Sequence, residues 1–70
     1  MTDNVYKVVE LVGSSPVSYD EAIRAAITRA NSTLRHIRWF EVKEQRGRIT
    51  PQGTEYQVTI EVGFALEDTL

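Results

Sequence analysis

Two side chains in this sequence are suited to holding a flat, heteroaromatic molecule. Trp39 offers a broad aromatic face on which a planar ring can stack. Gln57 carries a donor and an acceptor on one amide, so it can contact the edge of such a ring. The competing interpretation is a tryptophan at a subunit interface and an ordinary polar strand residue. The residues alone weigh these two interpretations about equally.

Four arginines lie on or beside the segment that contains Trp39: Arg35, Arg38, Arg46 and Arg48. A guanidinium presents a planar fork of donors, so such a cluster can hold a phosphate group. The arginines can instead belong to a solvated strand, paired with acidic neighbours: Glu41, Glu44 and Glu55. The charges alone favour the solvated strand.

The sequence contains no recognisable catalytic set and no expected metal site. It has no cysteine and a single histidine, His36, at a helix–strand junction where a helix cap or a surface position explains it. The serines fall in loops and at a helix start, and the four glycines form no phosphate-binding loop. We therefore expect a protein that is not an enzyme.

The size and composition of the chain limit how it can be stabilised and what it can bind. Its 70 residues are expected to form one domain, residues 1–70. A core of this size contributes only a few kcal/mol, and without cysteine or a zinc site the remaining source of stability is association. Acidic residues outnumber basic ones by 10 to 8, which argues against nucleic acid as the main partner.

Neither a membrane span nor a secretion signal is expected. No apolar stretch approaches the roughly 20 residues that cross a bilayer. The N-terminal residues Met1–Asn4 lack the charged and apolar regions of a signal peptide. The cytoplasm is the expected location.

The first half of the chain predicts a strand, a loop and a helix. The β-branched residues of Val5–Val12 predict a strand, and Gly13–Pro16 is expected to be a loop. Ser18 begins the helix through a capping box, in which it accepts from the Glu21 amide and the Glu21 carboxylate reaches back. An apolar stripe dominated by alanine continues to about residues 31–34, where the helix is expected to end.

The second half predicts an antiparallel hairpin. Ile37–Ile49 and Glu55–Leu66 read as strands joined by a turn at residues 50–53, in which Gly53 can take a positive φ. The expected fold is therefore α+β, with β-α-β-β order and a three-stranded antiparallel sheet packed on one helix.

Alternation along the strands assigns residues to the two faces of the sheet. The apolar set from Val58 to Phe64 is expected to pack on the helix, and Phe40 and Val42 are expected to face it as well. The residues of opposite parity should share the face that no helix covers: Trp39, Gln45 and Gln57.

Several segments resemble the dodecin family, and together they cover nearly the whole chain. They are VYKVVELVGSS at residues 5–15, Asp20-Glu21-Ala22-Ile23, Arg29-Ala30, Trp39-x-Glu41-Val42 and the last strand from Tyr56 to Phe64. The length and the β-α-β-β order agree too. The joint placement of Trp39 and Gln57 in so short a chain is the most specific part of the resemblance.

The resemblance implies a hollow, roughly spherical homododecamer that binds flavins as stacked pairs near its twofold axes. It makes Trp39 the stacking residue and Gln57 the polar contact to the ring system. Arg46 matches an arginine that faces the ligand's phosphate in bacterial members, which favours flavin mononucleotide (FMN). Glu44 matches an acidic residue that has a larger part in ligand binding in archaeal members. Gln45 completes the expected set of binding residues.

The function implied by the resemblance is flavin storage, with the flavin held quenched and unreactive. Riboflavin and coenzyme A are further candidate ligands, and neither nucleic acid nor a membrane is an expected partner. Two alternatives stay open: a structural or interaction oligomer without flavin and, with less support, a flavin-dependent redox enzyme.

Overall fold

A computed structural model describes residues 4–66 and has the predicted β-α-β-β order. The four elements are β1 (Tyr6–Ser15), α1 (Tyr19–Thr33), β2 (Ile37–Thr50) and β3 (Gly53–Ala65). The strands form one antiparallel sheet in the order β1-β3-β2, and α1 packs on β1 and β3. The predicted α+β class is confirmed, and no helix among the described residues is long and apolar enough to cross a membrane.

The helix begins and ends close to the predicted residues. Ser18 is the N-cap, and its hydroxyl accepts from the Glu21 amide at 3.1 Å. The Glu21 carboxylate pairs forward with Arg24 at 2.9 Å rather than back with the cap, so only half of the predicted capping box is present. At the other end, the Leu34 amide donates to the Ala30 carbonyl at 2.8 Å and closes the helix.

The core is a layer of small residues against a layer of branched ones. Three alanines of α1 are buried against three fully buried residues of β3: Ala22, Ala26 and Ala30 against Val58, Ile60 and Val62. Because alanine is short, the helix axis lies close to the sheet. Of the helix-facing set predicted for β3, Val58, Ile60 and Val62 are confirmed as core residues, whereas Phe64 is only partly buried.

Gly13 lies within β1, so the prediction of a loop from residue 13 onward is wrong. The strand continues to Ser15, and Gly13 pairs with Val58. A Cβ on Gly13 would overlap the Ala22 carbonyl oxygen and reach 3.0 Å from the Ala26 Cβ. The glycine therefore serves close packing of α1 on the sheet, not a turn.

The β2–β3 turn agrees with the sequence. Gly53 has φ 127°, and the Thr50 hydroxyl donates to the Gly53 carbonyl at 2.8 Å. The two strands meet around Pro51 and Gln52, and only glycine adopts this φ without strain.

The predicted face is confirmed for Phe40 and Val42, but neither residue is buried in the core. They pair with Val62 and Ile60 and so lie on the helix side of the sheet, but they are 47% and 39% exposed. The strand order explains this: α1 packs mainly on β1 and β3, which leaves these two residues of the edge strand β2 largely uncovered.

The chain is unusually extended for its length. Its radius of gyration is 14.7 Å, against about 11 Å for a compact domain of this size. Several large apolar side chains are exposed on both faces of the sheet and at the hairpin tip: Tyr6, Val8, Val12, Trp39, Phe40, Val42 and Ile49. A single copy therefore leaves much of its apolar surface in water.

Candidate functional site

The sheet face turned away from α1, called the open face below, carries most of the predicted binding residues. The strand pairings place them in rows across the sheet. Trp39 pairs with Gly63, Glu44 with Thr59, and Arg46 with Gln57. Thus Trp39, Glu44, Arg46 and Gln57 all lie on one face.

Gln45 does not lie on the open face, so its predicted placement is wrong. The register shifts between Val42 and Glu44, which makes Lys43 an extra residue in β2. A bulge of this kind reverses the face of every residue that follows it. Gln45 therefore pairs with buried Val58 on the helix side.

Trp39 lies over Gly63, which has no side chain to hold the ring away. A Cβ built on Gly63 would overlap three atoms of the indole's six-membered ring. The Tyr6 ring meets the indole edge-on, with centroids 5.1 Å apart and an interplanar angle of 68°. Trp39, Gly63 and Tyr6 are called the aromatic platform below.

The outer side of the indole is available for contact. Trp39 is 42% exposed although one face of its ring covers Gly63, which is buried. A ring packed against Gly63 and Tyr6 is restricted in its orientation while much of its surface stays exposed. Such a surface is suited to stacking on another planar ring.

Arg46 joins three open-face side chains. Its Nε donates to Gln57 Oε1 at 2.9 Å, and its Nη1 donates to Glu44 Oε1 at 2.7 Å and to Thr59 Oγ1 at 3.3 Å. A planar guanidinium can make these bonds together because its donors point in fixed, different directions. These residues, with Glu55, form what we call the polar network.

Glu55 extends the polar network along β3. Its Oε1 accepts from Gln57 Nε2 at 3.4 Å and from Arg48 Nη1 at 3.3 Å. Two arginines of the predicted cluster, Arg46 and Arg48, therefore pair with Glu44 and Glu55. For these two, the predicted pairing with acidic neighbours is confirmed.

The aromatic platform and the polar network share a face but not a location. Gly63 and Gln57 are six positions apart on β3, which corresponds to about 20 Å along a strand. Between them lies a row of carboxylates formed by Glu10, Glu61 and Glu41, in which Lys43 is 3.8 Å from Glu61. Trp39 and Gln57 of one chain are therefore too far apart to lie against the same small planar molecule.

Sequence reasoning missed three residues that hold the predicted ones in place: Tyr6, Gly63 and Thr59. Each depends on a cross-strand pairing that parity within one strand does not reveal. One signal was available, because Gly63 interrupts an otherwise β-branched and aromatic strand, and such a glycine often marks the close approach of another group.

Among the described residues, His36 and the carboxylates form no metal site. His36 is exposed, has φ 63°, and its carbonyl accepts from the Ala65 amide at 2.9 Å, in line with a surface residue at the helix–strand junction. Within residues 4–66, no group of three or more His, Asp or Glu side chains is arranged to hold a metal ion.

Comparisons of sequence and of structure with known proteins all find dodecins. The family model described as Dodecin matches residues 5–67. The chain is 61% identical to the dodecin of Thermus thermophilus over 66 residues, 93% of this chain and 96% of that protein. The calcium dodecin of Mycobacterium tuberculosis is 34% identical over 64 residues, 90% of each chain. The structure of the dodecin from Streptomyces davaonensis superposes with a TM-score of 0.89 at 43% identity, covering 96% of this chain and all of that one.

Proposed function

This chain belongs to the dodecin family, and we propose that it is a cytoplasmic flavin-storage subunit. In this proposal twelve copies form a hollow shell, and stacked flavins, mainly FMN, are bound between copies. Trp39 is the stacking residue, Gln57 contacts the ring edge, and Arg46 and Glu44 act near the phosphate. Riboflavin and coenzyme A are further ligands to be tested.

The observation that carries the proposal is the aromatic platform. The indole of Trp39 is seated on Gly63, steadied by Tyr6, and open on its other side. The exposed part of the ring offers a rigid surface for a planar ligand. An indole in contact with an excited flavin also donates an electron readily, which quenches the flavin's fluorescence.

The distance between Trp39 and Gln57 supports a site built from more than one copy. The separation of about 20 Å along β3 is roughly twice the length of three fused rings. A twofold axis brings the same surface of two subunits face to face, in opposite directions. Trp39 of one subunit can then lie near Gln57 of another, and both can contact one ring system.

The uncovered apolar surface supports assembly. Phe40 and Val42 on the helix side, and Val8 and Val12 on the open face, are all exposed in the single chain. Contiguous exposed apolar surface in a small protein marks a contact with a partner. We propose that other copies of the chain cover these residues. A ligand contact by Gln45 stays a prediction. Because Gln45 lies on the helix side, it would have to contact a ligand bound by a neighbouring subunit.

The polar network affects how strongly the protein would bind the phosphate of FMN. Nε and Nη1 of Arg46 are engaged by Gln57, Glu44 and Thr59, so Nη2 is the nitrogen best able to reach a phosphate. The Glu44 carboxylate competes with that phosphate for the same positive charge. We propose that FMN binds by displacing or sharing this ion pair.

Storage fits this arrangement better than catalysis. In a stack of two flavins between two indoles, each flavin has one face on an indole and the other on its neighbour. Neither face is then open to a substrate, which a flavin-dependent redox enzyme requires. A structural oligomer without flavin remains the alternative that an experiment must separate from storage.

The test is a flavin titration of the purified protein together with its particle mass. We expect light scattering to give a mass near twelve times the 8.0 kDa subunit. We also expect added riboflavin or FMN to bind with strong loss of flavin fluorescence. A shell that leaves flavin fluorescence unchanged would support the structural alternative, and a monomer at micromolar concentration would contradict the assembly.

A further inference from the structure

We infer that Arg46 and Glu55 act together as positioning residues that fix the amide of Gln57 in one orientation. They thereby select ligands whose ring edge carries an N–H donor beside a carbonyl acceptor. The inference rests on the proposed function, since it concerns the residue proposed to contact the flavin ring. It assigns to Arg46 a role at the ring that is separate from any contact with a phosphate.

The chemistry of the two neighbours determines which end of the amide faces which way. A guanidinium only donates hydrogen bonds, so the Gln57 atom 2.9 Å from Arg46 Nε must be the oxygen. A carboxylate only accepts, so the atom 3.4 Å from Glu55 Oε1 must be the nitrogen. Rotating the amide by half a turn would set donor against donor on one side and acceptor against acceptor on the other.

The remaining bonding capacity of Gln57 defines what it can recognise. An amide has two N–H donors and an oxygen with two lone pairs. Arg46 and Glu55 each use one of these, which leaves one N–H and one lone pair. The free lone pair is on the Arg46 side and the free N–H is on the Glu55 side. A matching ligand edge therefore presents its N–H toward Arg46 and its carbonyl toward Glu55.

A fixed amide binds such an edge more tightly than a freely rotating one. Without Arg46, the amide populates both orientations, and part of the population presents the wrong atoms to the ligand. Leaving one polar atom of a buried ring edge unmatched costs about tenfold in affinity. The pyrimidine end of a flavin, with an N–H between two carbonyls, has the required pattern.

The test is a double-mutant cycle between Arg46 and Gln57, with lumiflavin as the ligand. Lumiflavin has the flavin ring system but neither ribityl chain nor phosphate, so any effect of Arg46 on it arises at the ring. Kd is measured by flavin fluorescence for the parent, Arg46→Met, Gln57→Ala and the double variant. Arg24→Met serves as the control, because Arg24 forms an ion pair with Glu21 on the exposed helix surface.

We expect Arg46→Met to weaken lumiflavin about tenfold when Gln57 is present and less than twofold in the Gln57→Ala background. Arg46→Lys keeps the charge and one donor, so it should retain part of the affinity that Arg46→Met loses. If Arg46→Met does not assemble, Arg46→Lys takes its place in the cycle. Provided that the parent binds lumiflavin, two results would overturn the positioning role. One is an equal loss of affinity from Arg46→Met with and without Gln57, and the other is no loss at all from Arg46→Met. A parent that binds neither lumiflavin nor riboflavin would overturn the proposed function itself.

Discussion

Replacing Gly63 with alanine should disable the aromatic platform without a change to Trp39 itself. The added Cβ would overlap three atoms of the indole's six-membered ring, and no real Cβ makes such contacts. To restore ordinary carbon–carbon contact the indole must lift or tilt by at least about 1 Å. Trp39 is on the open face and 42% exposed, so it can move outward while the backbone of β3 stays in place.

The expected loss follows from the geometry of stacking. An aligned aromatic pair contributes about 0.5–1.5 kcal/mol beyond the area that it buries, and a tilted ring also loses part of that area. Together these losses weaken flavin binding by about tenfold or more. The cost to folding should be smaller than for a core residue, because the displaced ring moves into solvent instead of into packed neighbours.

Gly47→Ala is the matched control on the adjacent strand. A Cβ on Gly47 would meet Thr54 Cγ2 at 3.7 Å and the Tyr19 hydroxyl at 3.8 Å, both ordinary contacts. Riboflavin titrations, with particle mass measured in parallel, should show weak binding for Gly63→Ala and near-parent binding for Gly47→Ala. If an assembled Gly63→Ala shell binds and quenches riboflavin like the parent, the seating of the indole on Gly63 is irrelevant to binding.

Three further substitutions test separate parts of the account. Glu44→Gln removes the carboxylate that competes for Arg46, so the ratio of FMN to riboflavin affinity should rise several-fold; an unchanged ratio would contradict the competition. Phe40→Ser should lower the particle mass while the helical circular dichroism is retained, because Phe40 is 47% exposed in the single chain; an intact shell would show that this surface is not an interface. Gly13→Ala should lower the free energy of unfolding by about 1–3 kcal/mol in urea, since its Cβ overlaps the Ala22 carbonyl; parent-like unfolding would contradict the close packing.

The elements of the fold were predictable because each has a local signal. Ser18 begins the helix, a glycine with positive φ closes the hairpin, and alternating apolar residues identify β3. The order of the strands has no such signal. β3 lies between β1 and β2, and α1 packs on β1 and β3, so Phe40 and Val42 of β2 were wrongly expected to be buried in the core.

The candidate site was predictable as a set of residue types, but not as an arrangement. The bulge at Lys43 moves Gln45 to the helix side and brings Arg46 opposite Gln57, and a bulge arises from pairing between strands that single-strand parity does not show. The distance between Trp39 and Gln57 along β3 follows only from the register. The proposal that the site includes a second subunit therefore rests on the register and could not be made from the sequence pattern.

The central claim is that Trp39 is the surface on which flavin stacks and the group that quenches it. The most direct measurement is the fluorescence of riboflavin bound to assembled Trp39→Phe, compared with the parent and with Trp39→Ala. Phenylalanine keeps a stacking face but is a much poorer electron donor, so we expect partial affinity with most of the quenching lost. Trp39→Ala should keep the shell and lose most of its binding. Assembled Trp39→Phe and Trp39→Ala shells that bind and quench riboflavin like the parent would contradict the claim.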